Sequence, residues 1–356
     1  MTVVAVAGFA PELDALAACN PARLGFLRAA WYGAGSPAGA RTLVMRRGSA
    51  GAPIAAIPTV PLGPALTGAR QVPGAYWPLR AVPLAADCDT LELAQALEHP
   101  AARMLGPAWR LGPARRDDPA TALLADAARL AGWSVLARPA GTAFVIDCHA
   151  ARAGGWPRPS TTRRLARIER RLARTGAVSW DIVRGSGWND AVLAELGAIE
   201  AASWIATRTN GRAAKFMTPP QRARWRGVLA DPVLAEMLCA TILRLDGRAV
   251  AFCFDLDDGP VQYGIAGSYA SDLARYEIGK LVNHRTLADA IADGQRVLDL
   301  GAGDSGYKRA MGAVAGYDLV DLMFVRHAAA ARLMERVWGR PLAPGKDWAI
   351  EVPGHE

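Results

Sequence analysis

The sequence predicts an α/β (α+β) protein of two tandem lobes, each a mixed, mainly antiparallel sheet flanked by helices. Three observations predict it. The chain has 356 residues, more than one hydrophobic core usually organises. Short segments rich in apolar and β-branched residues end in Gly, Pro or Asp and alternate with helical stretches. One pattern of strand, Leu-Gly, polar turn, helix and strand occurs at Arg110–Leu136 and again at Val297–Leu322, as an ancient duplication would leave it.

The second half reads most clearly. Met237–Leu245, Ala249–Leu256 and Val261–Gly267 are strands separated by turns at Asp246-Gly247 and Asp257-Asp258-Gly259, which makes a three-strand antiparallel meander. A helix follows from about Glu277 to Asp293, with Ile278, Leu281, Val282, Leu287 and Ile291 on or near one face and Gly294 as its stop. Next come a strand at Arg296–Leu300, a loop at Gly301–Gly306, a short helix from Tyr307, a strand at Tyr317–Val325 and a helix through Trp338.

The first half repeats this plan in outline. Thr42–Arg46 and Pro53–Val60 pair as a hairpin, and a proline-rich stretch to Pro83 replaces clean strands. Leu91–Leu97 and Ala120–Ala131 are helical; Trp109–Leu111 and Trp133–Ala137 are extended. Between the halves, Gly154–Gly176 carries Arg163, Arg164, Arg167, Arg170, Arg171 and Arg174 at helical spacing, with Leu165, Ile168 and Leu172 on the other side. The expected division is therefore a lobe at 1–153, a basic amphipathic connecting helix at 154–176, and a second lobe at 177–356.

Composition narrows the class. Hydrophobic residues are 51% and charged residues 21%, which fits packed cores and excludes a disordered chain. No run of about 18 apolar residues spans a bilayer. The apolar opening carries Glu12 and Asp14 and lacks a basic residue before Arg23, the wrong order for a secretory signal, so a cytoplasmic location is expected. Five scattered cysteines without a CxxC pair, and histidines without ligand spacing, point to buried thiols and to no metal. The net charge of +8 calls for an anionic partner.

Four motifs mark a resemblance. They are Glu200-Ala-Ala-Ser-Trp204, Leu245-Asp-Gly-Arg-Ala-Val-Ala-Phe252, Tyr269-Ala-Ser-Asp-Leu-Ala-Arg-Tyr-Glu-Ile-Gly279 and Gly301-Ala-Gly-Asp-Ser-Gly-Tyr-Lys308. They resemble the successive landmarks of the FemAB-like, or BioF2-like, branch of GNAT acetyltransferases, a branch of tandem GNAT lobes that includes proteins of cellulose and capsule synthesis and aminoacyl-transferring Fem enzymes. The similarity spans about Ala40 to Trp338. It departs at Glu277-Ile278-Gly279, where relatives show Ser-Pro-Gly, and at Arg309-Ala310-Met311, where an aromatic residue commonly follows Tyr-Lys.

The resemblance implies acyl-CoA, acetyl or longer, as donor and an amine or hydroxyl of a small-molecule or cell-envelope precursor as acceptor. A helix start binds pyrophosphate through free amides and its dipole; Arg275, Ile278, Gly279 and Lys280 stand at that point. The thioester would lie along Val261–Gly267, where Gly264 and Gly267 allow a close approach to the backbone. Tyr307 is the candidate acid for the leaving thiolate. Asp304 and Lys308 either orient the acceptor, or cap the short helix and pair with each other. Glu277 and Asp272 are nearby carboxylates for a base acting through water, and Trp204 and Tyr269 are candidates for the acceptor cleft.

Rival readings remain beside it. An aminoacyl-tRNA donor is compatible with the arginine-rich helix, and a duplicated lobe that has lost its site would make a binding protein. Val297-Leu-Asp-Leu-Gly-Ala-Gly303 resembles an S-adenosylmethionine loop, but only 53 residues follow Gly303, too few to complete a nucleotide-binding sheet.

Overall fold

A computed structural model describes residues 1–19, 24–49, 51–76, 80–304 and 306–342. The chain divides into two compact units, one of Met1–Ala143 with Gly316–Glu356 and the other of Phe144–Ala315. This differs from a division at Ala153 in two ways. The basic helix, Pro159–Leu172, lies within the second unit, and the segment after Ala315 belongs to the first.

Long-range pairing causes the second difference. Strand Val314–Val325 runs antiparallel to Ala108–Arg115, with Leu319 opposite Arg115 and Val325 opposite Ala108, some 200 residues away in the chain. Within the first unit the strands follow the order Thr2–Ala7, Arg41–Arg46, Pro53–Pro61, Arg70–Gln71, Ala108–Arg115, Val314–Val325 and Ser134–Asp147. Thr2–Ala7 was not expected from the apolar opening, which divides into this strand and the helix Glu12–Ala18.

A buried ion-pair cluster crosses this unit. A bulge between Val320 and Leu322 re-aims the chain at Asp321, whose carboxylate receives two bonds from Arg110 Nη2, at 2.8 and 2.9 Å, and one from Arg138 Nη2 at 2.9 Å. Gly112 makes room for it: a Cβ there, at φ +145°, would lie 2.5 Å from Asp321 Oδ1 and 2.9 Å from its Cα.

The second unit holds the meander in the order Val297–Ala302, Val261–Tyr269, Arg248–Asp258, Leu238–Leu245 and Val178–Val183. Its central strand, Arg248–Asp258, has two different faces because side chains alternate. Phe252 and Phe254 meet Phe216 edge-on, and Trp225 adds a T-shaped contact to Phe254 at 4.8 Å. On the opposite face Ala251 and Cys253 join a core with Ile278, Leu281 and Val282 of helix Ile278–Ala292. Ile168 and Leu172 of the basic helix enter the same core, and Leu165 packs against it.

The two units repeat one motif. In the first, Arg70–Gln71 pairs in parallel with Trp109 and Arg110, just before Leu111-Gly112; in the second, Val261–Tyr263 pairs in parallel with Val297–Asp299, just before Leu300-Gly301. The cysteines are mostly as expected, with Cys88, Cys148, Cys239 and Cys253 buried; Cys19 is exposed. No helix among the described residues is long and apolar enough to cross a membrane.

Candidate active site

The parallel pair in the second unit parts early. Val261, Gln262 and Tyr263 face Val297, Leu298 and Asp299, and there the pairing ends, although one strand continues to Tyr269 and the other to Ala302. Past this point Gly264–Tyr269 is held from the other side only, by Ala251–Asp255, through a bulge between Gly264 and Ala266. Alternate N–H and C=O groups of Gly264–Tyr269 therefore face an opening with no strand partner. Gly264 lies at its apex, where a Cβ would be 3.4 Å from the Asp299 carbonyl and 3.6 Å from Asp255 Oδ1. Gly267 has ordinary clearance, with the nearest atom at 3.5 Å.

The far arm of the opening is fixed by Lys308. Its Nζ donates to the carbonyls of Gly301, at 2.8 Å, and Ala302, at 2.9 Å, and the side chain is buried. Gly301, at φ +75°, turns the chain there, and its N–H is taken by Asp299 Oδ1 at 2.7 Å. Burial pushes the Lys308 ammonium below its usual range, and the charges of Asp299 and Asp304 oppose that shift. The expected Asp304–Lys308 pair is replaced: Asp304 pairs with Arg309 at 2.5 Å and accepts from the Gly306 N–H at 3.0 Å. Gly306 occupies the cap position of helix Tyr307–Ala310 without a side-chain cap, so Asp304 makes a two-residue turn instead. Tyr307, at that helix start, is 46% exposed.

Around the start of helix Ile278–Ala292 the chemistry is cationic. Glu277, at φ +54°, caps it in backbone only, and its carboxylate is taken by Arg164 at 2.8 Å and by Lys280. These partners, Lys280 first, hold Glu277 below the usual carboxylate range. Arg275 reaches Tyr276 Oη at 3.0 Å and lies over its ring, and Arg171 donates to the Arg275 carbonyl. Ile278 has a fully buried side chain in the core, so any contact it makes with a donor is through backbone.

Gly279 has a steric reason to be glycine: a Cβ would lie 2.7 Å from Tyr269 Cδ1. Gly279→Ala is expected to lower stability by about 1 kcal/mol in urea unfolding, because overpacking against the ring outweighs the gain in helix propensity. Asp272 pairs with Arg248 on the surface at 2.9 Å, and Trp204, 39% exposed, opens helix Trp204–Thr209. Neither meets the opening through any contact described. His284 stacks on Trp156 with centroids 5.5 Å apart.

Two residues were missed from the sequence. Asp255 is buried beside the apex, and burial, aided by the charge of Asp257, raises its carboxyl well above the usual range. Polar residues at every second position of Cys253-Phe254-Asp255-Leu256-Asp257 were the signal. Glu200 is the other. Its fully buried carboxylate accepts from the N–H groups of Lys215, at 2.8 Å, and Phe216, at 2.7 Å, which ties a loop to helix Asp190–Ala201.

Residues 159–309 match the family model of the acetyltransferase (GNAT) domain, from the basic helix to the helix of Lys308. By sequence, no curated protein matches the chain. Among solved structures it is similar to FemX, at 10% identity over 94% of this chain and 100% of that one, with a TM-score of 0.55. The C-terminal domain of a lysylphosphatidylglycerol synthetase-like protein from Agrobacterium fabrum matches at 16% identity over 91% and 94%, with a TM-score of 0.55. L-PGS from Bacillus licheniformis matches at 14% over 93% and 96%, with a TM-score of 0.53. At these identities the likeness is one of fold, and the family model adds that residues 159–309 match an acetyltransferase (GNAT) domain.

Proposed function

We propose that the protein transfers an acyl group from acyl-CoA to an amine or hydroxyl of a small-molecule or cell-envelope precursor, such as a polysaccharide building block. The parting of Val261–Tyr269 from Val297–Ala302 after three paired residues carries this reading. An extended thioester laid against Gly264–Tyr269 adds the missing strand on that side, and the unspent backbone N–H groups polarise its carbonyl where negative charge develops. The enzyme then works chiefly by alignment. The acceptor attacks the carbonyl and the C–S bond breaks; the thiolate takes the proton of a tyrosine hydroxyl, the role assigned to Tyr307, and the proton lost by the acceptor passes through water to restore that tyrosine. Lys308 keeps the opposite arm in place and puts a positive charge beside the reacting carbonyl.

The donor's phosphates are assigned to Arg275, Lys280 and the first amides of helix Ile278–Ala292. Arg275→Ala with Lys280→Ala is expected to weaken acetyl-CoA binding about tenfold in calorimetric titration without unfolding the protein. Unchanged affinity in the folded double variant would move the phosphate site elsewhere. Silence of the wild type toward acetyl-CoA and a long-chain acyl-CoA alike would sink the acyl-CoA reading.

A further inference from the structure

Charge is distributed very unevenly along this chain. Residues 151–176 hold eight arginines and one glutamate, a net of +7, whereas the whole protein has +8. The rest of the molecule is therefore almost neutral. Several arginines elsewhere are matched: Arg46 by Glu12, Arg110 by Asp321, Arg184 by Asp257, Arg244 by Asp181 and Glu195, and Arg285 by Asp289.

Along helix Pro159–Leu172 that matching thins to Arg164, which pairs with Glu277. Arg163, Arg167 and Arg174 make no hydrogen bond or ion pair among the described residues, and Arg170 bonds only the Ala166 carbonyl one turn back. All four are exposed; Arg163, Arg167 and Arg170 share one face of the helix, and Arg174, in the turn just past its end, continues the row to about 16 Å. Like charges so spaced repel one another and weaken the helix. Among the described residues no carboxylate pairs with any of these four.

We infer that this row is a docking surface for an anionic lipid bilayer. A cluster of four to eight arginines on one helix is the pattern that binds acidic headgroups, each residue adding to the attraction. The apolar side of the helix is already spent, with Ile168 and Leu172 buried in the core, so docking is electrostatic and inserts nothing. A row on the outer face of one helix presents its guanidinium groups to a plane. Single-stranded nucleic acid needs exposed rings for its bases. The aromatic residues nearest in sequence are engaged: Trp156 stacks on His284, and Trp180 bonds Glu169 and lies under Arg285. This inference does not rest on the acyltransferase reading, since it concerns a surface and not the chemistry.

The test is cosedimentation of the full chain with vesicles of phosphatidylcholine alone or mixed with phosphatidylglycerol, at low and high salt, with total tRNA as a competitor. The wild type should bind the mixed vesicles only and release them in high salt. Arg163→Gln, Arg167→Gln, Arg170→Gln and Arg174→Gln together should weaken binding at least about a hundredfold, at roughly fivefold per arginine. Lysine at the same four positions should keep most of it, and circular dichroism of both quadruple variants should match the wild type. Absence of wild-type binding, or equal binding by the folded glutamine variant, would overturn the proposal. Displacement by tRNA at a lower phosphate concentration than that of the lipid would replace the bilayer with RNA.

Discussion

Lys308→Met is expected to lower kcat about 100- to 1,000-fold, the loss typical of removing one group that stabilises developing negative charge. The change keeps much of the volume and leaves the carbonyls of Gly301 and Ala302 without their donor. Stability should fall by about 1–2 kcal/mol, because two carbonyls lose their donor while relief from the desolvation cost of a buried ammonium offsets part of that loss. A steady-state assay beside a urea titration separates the roles: a large fall in stability with activity intact would make Lys308 a structural staple only.

The pH dependence adds an independent check. Burial lowers the Lys308 pKa in the folded state. Between that lowered value and the unfolded value of about 10.4, the unfolded chain binds more protons, so stability attributable to this residue rises with pH. Turnover that needs the ammonium falls through the same window. Opposite trends of stability and rate, both absent from Lys308→Met, are the expected signature.

Asp321→Ala is expected to cost about 3 kcal/mol of stability, the largest effect among these substitutions. The carboxylate is buried and shared by two guanidinium groups, and removing it strands both. The figure sits at the low end for a broken buried pair because Arg110 and Arg138 reach solvent, with side chains 23% and 42% exposed. Asp321→Asn keeps an acceptor of the same shape and should cost about half as much. A thermal or urea unfolding curve decides; a loss under about 1 kcal/mol would place the cluster with ordinary surface pairs.

Local pattern carried most of the second unit. The meander, the long helix and the order of strands around Gly301 follow from alternation, turn residues and helical spacing, all properties of neighbours in sequence. Asp304 and Glu277 show where that stops. The spacing of Asp304 to Lys308 suggested a pair, and Glu277 was read as a base, but partner choice depends on which side chains other segments bring close: Arg309 takes Asp304, and Arg164, from a helix more than a hundred residues earlier, shares Glu277 with Lys280. Ile278 and Gly279 were read as ligand contacts by position, and the fold gives one to the core and the other to the ring of Tyr269.

By itself the sequence determined the fold class, the doubled motif ending in Leu-Gly, the basic helix and the family landmarks, because each is written in residues a few positions apart. Only the tertiary structure decided that the segment after Ala315 joins the first unit, that Val261–Tyr269 and Val297–Ala302 part after Tyr263 and Asp299, and that Asp255 and Lys308 are buried beside that opening. Strand register and burial are set by partners far away along the chain, and no local spacing encodes them.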